Sequence, residues 1–145
     1  MYKKILITTD GSDRSELAVN EGVQLGQSLG AEMVVFHVIP DIPLFITPYA
    51  DRSGDSLTTI IEELEKNGRD ILEKVKAKFP EPDFNIRTKL TRGNPAYEIC
   101  SEAKDGRYDL VVLASRGLGE IKGYLMGSVS NRVVRHAGCS VLVIK

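Results

Sequence analysis

The chain has 145 residues, of which 42% are hydrophobic and 27% charged, and its formal net charge at pH 7 is −1. This composition excludes wholesale disorder, and the length fits one domain over residues 1–145 with a buried core. The near balance of 19 basic and 20 acidic residues argues against nucleic acid as a partner, because binding to a phosphate backbone needs an excess of Lys and Arg on one face.

The cysteine content and the N-terminal sequence favour a cytoplasmic protein. Two cysteines, Cys100 and Cys139, are too few for a disulfide scaffold and lack the spacing of a zinc or redox pair. The apolar run Ile5–Ile7 is far too short for a signal peptide or a membrane span. We therefore expect a reducing compartment, no membrane partner and no structural metal.

The first part of the chain predicts a strand, a helix and a second strand. The β-branched run Ile5–Thr9 ends at Asp10–Ser12, which is a turn signal. Asp13 with Glu16 predicts a capping box that starts a helix. The nearly all-apolar run Met33–Ile39 is typical of a strand covered on both faces. A right-handed crossover that joins two parallel strands is the expected result.

The middle of the chain predicts a long loop, a second helix and an edge strand. The stretch Pro40–Asp55 contains three prolines, and loops of this length are usually functional, so it could act as a lid or as a contact surface. Ser56 predicts the cap of a helix that Pro80 ends. Apolar and polar residues then alternate over Phe84–Leu90, which indicates a half-exposed strand.

The last part predicts two further helices and two further strands. Asn94–Pro95 is typical of a helix start, and Leu110–Ala114 reads as a buried strand. A glycine-bearing loop, 115–127, precedes a short helix from Ser128, and Ser140–Ile144 forms the last strand. The alternation predicts an α/β fold with a single doubly wound five-stranded parallel sheet and helices on both faces, which is Rossmann-like.

The loop after the fourth predicted strand has the features of an anion site. In a doubly wound sheet ligands bind at the carboxyl ends of the strands where the winding reverses. Gly127 and Ser128 open a helix whose first N–H groups have no internal partner, and such an end favours an anion. Ser128 and Ser130 add hydroxyl donors, and Arg116 could pair with a phosphate. The loop is neither a Walker A motif nor a dinucleotide fingerprint. A merely flexible loop with a capped helix is the alternative.

The loop after the first predicted strand offers a carboxylate to the same edge of the sheet. Asp10 could accept hydrogen bonds from a ribose hydroxyl or an adenine amine, or hold a phosphate-bound Mg²⁺. The alternative is that Asp10 and Ser12 only form the turn at a helix start. The position of Asp10, facing the second loop, favours binding.

These segments resemble the universal stress protein family of the UspA type over the whole chain. Thr9–Ser12 looks like the family's opening, Phe36–Val38 like its second-strand ending, and Val141–Ile144 like its closing strand. Family ATP binders carry G-x-x-G, nine residues and then G-S/T. Ala114–Gly117, nine residues and then Gly127–Ser128 are similar to that loop, with alanine at its first position. The extra methyl could narrow the site, or be tolerated if φ there is negative.

The resemblance implies a fold like that of the adenine nucleotide alpha hydrolases and a site for ATP or a related adenine nucleotide, with Mg²⁺ where Asp10 can hold it. By the same resemblance Thr9 and Asp10 lie beside ribose and adenine, and Val38 and Leu113 line the base. The loop glycines and α-helical serines hold ribose and phosphates. The complete predicted nucleotide site consists of Thr8, Thr9, Asp10, Val38, Leu113, Ala114, Arg116, Gly117, Gly127, Ser128, Val129 and Ser130.

The resemblance also implies a homodimer, because family members commonly pair their last strands, here Val141–Ile144. An apolar edge strand left bare would be an aggregation liability. The expected function is a regulatory module of the stress response that binds ATP without efficient catalysis. The sequence offers no Ser-His-Asp set, no paired carboxylates and no Lys fitted to a γ-phosphate, so ATP hydrolysis should be slow if it occurs.

Two other functions compete with this reading. A partner-binding or scaffolding dimer of the same family that has lost its nucleotide is favoured by Ala114 and opposed by Gly117, Gly127 and Ser128. A flavodoxin-like FMN carrier would use the hydroxyl-rich turn after the first strand as a phosphate cradle. It is opposed by the absence of Trp, which leaves no clear aromatic pair for a flavin ring. We therefore expect no flavin.

Overall fold

The computed structural model describes residues 1–42, 57–118 and 126–145. Most of the predicted loop Pro40–Asp55, the predicted cap Ser56 and much of the glycine-bearing loop 115–127 lie outside the described residues. The described elements are β1 (Lys4–Thr8), α1 (Asp13–Leu29), β2 (Glu32–Pro40), α2 (Leu57–Lys78), β3 (Ile86–Gly93), α3 (Pro95–Asp105), β4 (Leu110–Ala114), α4 (Ser128–His136) and β5 (Ser140–Ile144).

The strands form one parallel sheet in the order β3-β2-β1-β4-β5. The chain starts at the centre, winds outward through β2 to β3, and then returns to β4 on the other side of β1. The predicted doubly wound five-stranded sheet is thereby confirmed. Because the winding reverses between β1 and β4, the loops that follow these two strands lead to opposite faces of the sheet and leave a crevice at its carboxyl edge.

Each face of the sheet carries its own apolar core and its own pair of helices. Ile5 and Ile7 of β1 face a cluster that includes residues of α1 and α2. Leu6, between them, faces a second cluster that includes residues of α3 and α4. This alternation follows from the two-residue period of a strand. It explains why the central strands are apolar at nearly every position, since both of their faces are buried.

Strands β1 and β2 each begin one residue earlier than predicted, at Lys4 and Glu32, and the predicted starts of α1 and β3 are wrong by one and two residues. The cap of α1 is Ser12, whose Oγ accepts a hydrogen bond from the Ser15 N–H at 3.2 Å, and Asp13 is the first helical residue. Ser12 has the extended backbone of a cap residue, which the sequence alone does not distinguish from that of its acidic neighbour. Strand β3 begins at Ile86, and Phe84, which lies two residues before it, packs edge-on against Phe79 with 5.2 Å between the ring centroids.

The described helices include none that combines the length and the apolar character needed to cross a membrane.

Candidate functional site

A cavity of about 440 Å³ opens at the carboxyl ends of β1, β2 and β4. One side is formed by the ends of these strands, and its rim includes the first turn of α4. Side chains from α2 and α3 complete the wall, among them Leu64, Ile71 and Ile99. The topology accounts for this position, because the loops after β1 and β4 diverge where the winding reverses. The cavity is therefore concave, mostly apolar and bordered by a helix N-terminus, which is the usual form of a small-molecule site.

The structure brings the sequence-predicted site residues together, with one exception. Gly127 does not line the cavity; it is buried beside it, and its N–H donates to the Ser115 carbonyl at 2.7 Å. The eleven predicted residues that line the cavity are Thr8, Thr9, Asp10, Val38, Leu113, Ala114, Arg116, Gly117, Ser128, Val129 and Ser130.

The N-terminus of α4 differs from that of α1 in the charge around it. Helix α1 is capped by the Ser12 side chain and carries Asp13 and Glu16 in its first turn, so its positive end already has acidic partners. The N-cap of α4 is Gly127, which has no side chain to cap the helix, and its first turn contains no acidic residue. Of these two helix ends, the end of α4 is the one suited to a negatively charged ligand.

Ser130 holds the loop as well as lining the cavity. Its hydroxyl lies 2.6 Å from the Ser115 carbonyl oxygen and 3.1 Å from that of Gly127, and it donates to these acceptors. The residue is 3% exposed. Because a hydroxyl has a single proton to donate, these contacts engage Ser130 with the protein itself, and they fix the first turn of α4 against the end of β4.

Asp10 connects the two loops that the fold brings together. Its Oδ1 accepts a hydrogen bond from the Ser12 N–H at 2.9 Å, and its Oδ2 accepts one from the Leu118 N–H at 2.8 Å. Burial acts to raise the pKa of this carboxyl, but the hydrogen bonds from Ser12, Leu118 and Ser15 outweigh it and leave the pKa below its ordinary value. Asp10 is therefore a carboxylate at neutral pH. It forms the turn and also borders the cavity.

The loop after β1 is held from beneath by buried polar contacts. His37 is 7% exposed, and its Nδ1 lies 2.7 Å from the Thr9 carbonyl oxygen. A carbonyl only accepts, so Nδ1 carries the proton in this contact. The hydroxyls of Thr9 and Ser15 lie 3.0 Å apart. These contacts satisfy the buried polar groups and fix the path of the backbone into Asp10.

Ala114 and Arg116 are the first and third residues of the short G-x-x-G-like segment. Among the residues that the structure describes, the buried Nε of Arg116 has no hydrogen-bond partner. Arg116 lines the cavity, which places a guanidinium group at the cavity wall. Ala114 lies in β4 and is paired with Ile144 of β5. Its backbone is extended, a conformation that any residue can adopt. The methyl group of Ala114 therefore causes no backbone strain, although it occupies space at the wall.

Sequence reasoning missed the part of the wall that comes from α2. Leu64, Asn67 and Ile71 lie on one face of that helix, at the spacing of successive turns, and all three line the cavity. His37, which the sequence places within an apolar strand, also lines the cavity. A polar Asn67 on the apolar stripe was the one available signal. In residues 1–42, 57–118 and 126–145 there is no group of three or more His, Cys, Asp or Glu that could hold a metal ion.

The sequence as a whole matches a known protein family. A model of the universal stress protein family matches residues 1–145. A universal stress protein of Methanocaldococcus jannaschii is 34% identical over 145 residues, which cover 100% of this chain and 83% of the relative. The universal stress protein YxiE of Bacillus subtilis is 32% identical over 148 residues, which cover 100% of both chains.

Solved structures agree with this assignment. UspA from Lactobacillus plantarum has a TM-score of 0.87 with 27% identity and covers 99% of this chain and 98% of its own. Two structures under 25% identity share the fold. A family protein from Arabidopsis thaliana with AMP bound is 24% identical, with a TM-score of 0.67 over 99% of this chain and 91% of its own. A universal stress protein in complex with cAMP is 23% identical, with a TM-score of 0.66 over 99% and 97%.

The family model spans every residue of the sequence, and relatives above 30% identity cover the chain from end to end. The sequence-based resemblance is thus confirmed, and the chain belongs to the universal stress protein family.

Proposed function

We propose that this protein binds an adenine nucleotide, ATP or a close relative of it, and acts in the cytoplasm as a regulatory module of the stress response without efficient catalysis. The observation that carries the proposal is the cavity at the carboxyl edge, which is lined by eleven of the twelve residues chosen from the sequence. The ligand class follows from the chemistry at the two ends of that cavity.

One end of the cavity suits a phosphate chain. The helix dipole places positive potential at the N-terminus of α4, where the cap residue Gly127 has no side chain and the first turn has no acidic residue. Arg116 contributes a buried Nε that has no partner among the described residues. A planar guanidinium matches the geometry of phosphate oxygens. These donors favour a multiply charged anion over a neutral ligand.

The other end suits an aromatic ring. Val38, Leu113, Ile99 and Ile71 present apolar side chains from the sheet, α3 and α2. A flat heterocycle buries both of its faces between such walls, while polar groups at the ends of β1 and β2 remain for its edge. The AMP-bound and cAMP-bound structures show that other proteins of this fold hold adenine nucleotides. They support the choice of an adenine nucleotide over other phosphorylated ligands.

Slow or absent hydrolysis is part of the proposal. The described lining of the cavity contains no lysine that could contact a γ-phosphate. The carboxylate of Asp10 accepts a backbone hydrogen bond on each oxygen, so the protein itself already engages this carboxylate. We expect phosphate release from ATP at no more than about one turnover per minute, far below typical enzyme rates of about 10 per second.

Titration calorimetry with ATP, ADP, AMP and GTP, each with Mg²⁺ and with EDTA, tests the proposal directly. We expect ATP to bind more tightly than GTP, and more tightly than AMP because the phosphate donors recognise charge. Heating the purified protein and analysing the released small molecules by mass spectrometry tests for a nucleotide that co-purifies. Silence in both experiments would favour the nucleotide-free scaffolding dimer instead.

We further propose a homodimer that pairs the β5 strands. The sheet order leaves β5 at an edge, and its Leu142 side chain is 36% exposed. Val134, on the neighbouring α4, is 45% exposed. Pairing of two such edges would satisfy their backbone groups and bury these side chains.

We expect Leu142→Arg to convert a dimer into a monomer in light scattering, whereas Leu17→Arg, at a 51% exposed site on α1, should leave the dimer intact. A wild-type monomer would refute this interface.

A further inference from the structure

We propose that Asp10 is a positioning residue of the nucleotide site, whose carboxylate clamps the loop after β4 onto the loop after β1 and so holds the phosphate-binding backbone in place. The inference rests on the proposed nucleotide function and specifies how that site is kept in shape. It differs from the expectation that Asp10 contacts the ribose, the adenine or a metal ion.

The first support is the distribution of the two carboxylate oxygens. Oδ1 accepts from the Ser12 N–H within its own loop, and Oδ2 accepts from the Leu118 N–H, 108 residues further along the chain. A single side chain thus fastens together the two loops that diverge at the winding reversal. Hydrogen bonds to a charged acceptor are about twice as strong as those between neutral groups, so this contact is suited to holding a loop.

The second support is the fit between the carboxylate and Gly117. A Cβ added at Gly117 would lie 2.1 Å from Asp10 Oδ2. No pair of such atoms tolerates that distance, so the backbone at Gly117 approaches the carboxylate as closely as it does because glycine has no side chain. The glycine of the nucleotide-loop motif therefore makes room for the carboxylate of Asp10.

The third support is that the side chain of Leu118 is not anchored. It is 70% exposed, so burial of its own apolar surface does not hold this residue against the protein. Among the contacts of the described residues, the hydrogen bond from its N–H to Asp10 is what fixes the backbone here. That backbone continues directly from Arg116, which lines the cavity. Releasing the clamp would let the guanidinium and the loop amides move away from the phosphates.

The variant Asp10→Asn tests the clamp while preserving the size of the side chain. A carboxamide has one acceptor oxygen, so it can bond to one of the two N–H groups, and its NH₂ then faces the other donor. We expect the affinity for ATP to fall by about tenfold or more, because the phosphate-binding backbone is released. The affinity for adenosine, measured by NMR titration, should stay within about twofold, because the nucleoside does not depend on the clamp.

A second readout reports on the clamp without any ligand. In the free wild-type protein the Leu118 amide should be protected from hydrogen exchange and shifted downfield by its carboxylate acceptor, and Asp10→Asn should remove both signatures.

Asp109→Asn is the matched control. Asp109 also accepts backbone hydrogen bonds, at 2.8 Å from Lys3 and 2.9 Å from Lys4, but at the opposite end of the sheet. It should alter neither the Leu118 amide nor the binding of ATP.

The variant Gly117→Ala attacks the same contact from the other side. Its Cβ would displace the Asp10 carboxylate, so we expect a loss of ATP affinity similar to that of Asp10→Asn. In an Asp10→Ala background the space is vacant, so Gly117→Ala should then cost less than about half of its effect in the wild type. Additive losses would overturn the clamp.

The failures of the two proposals can be told apart. If adenosine affinity falls in Asp10→Asn as much as ATP affinity does, Asp10 contacts the nucleoside and the clamp is wrong, while nucleotide binding stands. If the wild type binds no nucleotide, the proposed function fails, and the Leu118 amide still shows whether the two loops are clamped. A Leu118 amide that exchanges freely in the wild type refutes the clamp in either case.

Discussion

At each end of the sheet an aspartate carboxylate accepts backbone hydrogen bonds, but the surroundings of the two carboxylates differ. At the amino end, the Asp109 carboxylate accepts hydrogen bonds from the N–H groups of Lys3 and Lys4. At the carboxyl end, the Asp10 carboxylate accepts them from Ser12 and Leu118. In each case the backbone hydrogen bonds leave the pKa of the carboxyl below its ordinary value, at Asp10 against the opposing effect of burial. At the carboxyl end the carboxylate lines the cavity, whereas Asp109 at the amino end does not line it.

The distribution of buried polar groups explains what this difference means. Within the described part of the chain, all six buried polar residues lie toward the carboxyl end of the sheet: Thr8, Thr9, Ser15, His37, Ser115 and Ser130. Burying a polar group costs free energy unless it is hydrogen-bonded, and an apolar core would not require these residues. Their concentration around the cavity supports the proposed ligand site at the carboxyl end of the sheet. Substitutions at the two ends should therefore separate binding from folding.

The largest effect on binding is expected for Gly127→Val. Gly127 is the N-cap of α4, and its backbone is extended, so valine can adopt its dihedral angles. The residue is buried beside the cavity, so a branched side chain would displace the first turn of the helix that borders it, and we expect ATP affinity to fall by at least about 100-fold. Calorimetry measures this loss, and circular dichroism verifies that the fold is retained.

The other end of the same helix provides the control for that substitution. A Cβ added at Gly138 would meet nothing within 4 Å, so Gly138→Val should be accommodated. ATP should bind to this variant with wild-type affinity. Unchanged ATP binding in a well-folded Gly127→Val protein would show that Gly127 is not part of the site. The N-terminal end of α4 would then be no more important for binding than its C-terminal end.

At the amino end the largest effect should appear at alkaline pH. Burial, the negative charge of Glu102 and the hydrogen bond to Glu102 raise the pKa of Tyr108 from 10.0 to about 12. The folded state holds this proton more tightly than the unfolded state does. The resulting stabilisation is fully present below pH 10 and is lost as the pH rises towards 12.

Urea denaturation at pH 9 and pH 11 measures this loss, and ultraviolet absorbance follows the ionisation of the tyrosines. In Tyr108→Phe the stability should decline less between these two values, because the perturbed hydroxyl is gone. An identical decline in the variant and the wild type would show that Tyr108 does not carry the alkaline sensitivity.

Lys4 should contribute to stability without affecting binding. Its Nζ donates to the Gly106 carbonyl at 2.8 Å and lies 4.6 Å from the centroid of the Tyr108 ring. Lys4→Met keeps the apolar stem and removes both contacts, so we expect the free energy of unfolding to fall by about 1–2 kcal/mol. The affinity for ATP should not change. Lys3→Met, at the exposed neighbouring side chain, is the control and should cost less than about 0.5 kcal/mol.

The sequence predicts an element of the fold well where neighbouring residues alone specify that element. The bounds of β4 and β5 agree with prediction, because short apolar runs between turn residues specify a strand by themselves. The Asn94 cap also agrees, and its side chain accepts from the Tyr97 N–H. The start of α1 was wrong by one residue, because Ser12 and Asp13 are both good cap formers and only their backbone angles distinguish them.

The parts of the candidate site that follow from the strand order were predictable from the sequence. The parts that depend on how a helix packs on the sheet were not. The two loops follow from the strand order alone. The contribution of α2 depends on how closely that helix approaches β2, which Gly68 permits. A Cβ at Gly68 would lie 2.8 Å from Leu90 Cδ1 and 3.1 Å from His37 Cδ2. The contact between Asp10 and Leu118 likewise joins residues 108 positions apart, and no local pattern encodes it.

The smallest expected effect, that of Ala114→Gly, tests how strictly the carboxyl end follows the family motif. Ala114 stands where family ATP binders carry glycine, and it lines the cavity. Its backbone is extended, so the position does not require the conformational freedom of glycine. Removing one methyl from the wall leaves the strand pairing with Ile144 intact and adds a small amount of space. We therefore expect ATP affinity to stay equal or to rise by no more than about threefold, with a loss of unfolding free energy of about 0.5–1 kcal/mol from glycine in a strand. Calorimetry and urea denaturation on the same preparation measure both quantities. A clear loss of affinity would mean that the methyl group contacts the ligand favourably and that this loop binds nucleotide in a different arrangement from the family pattern.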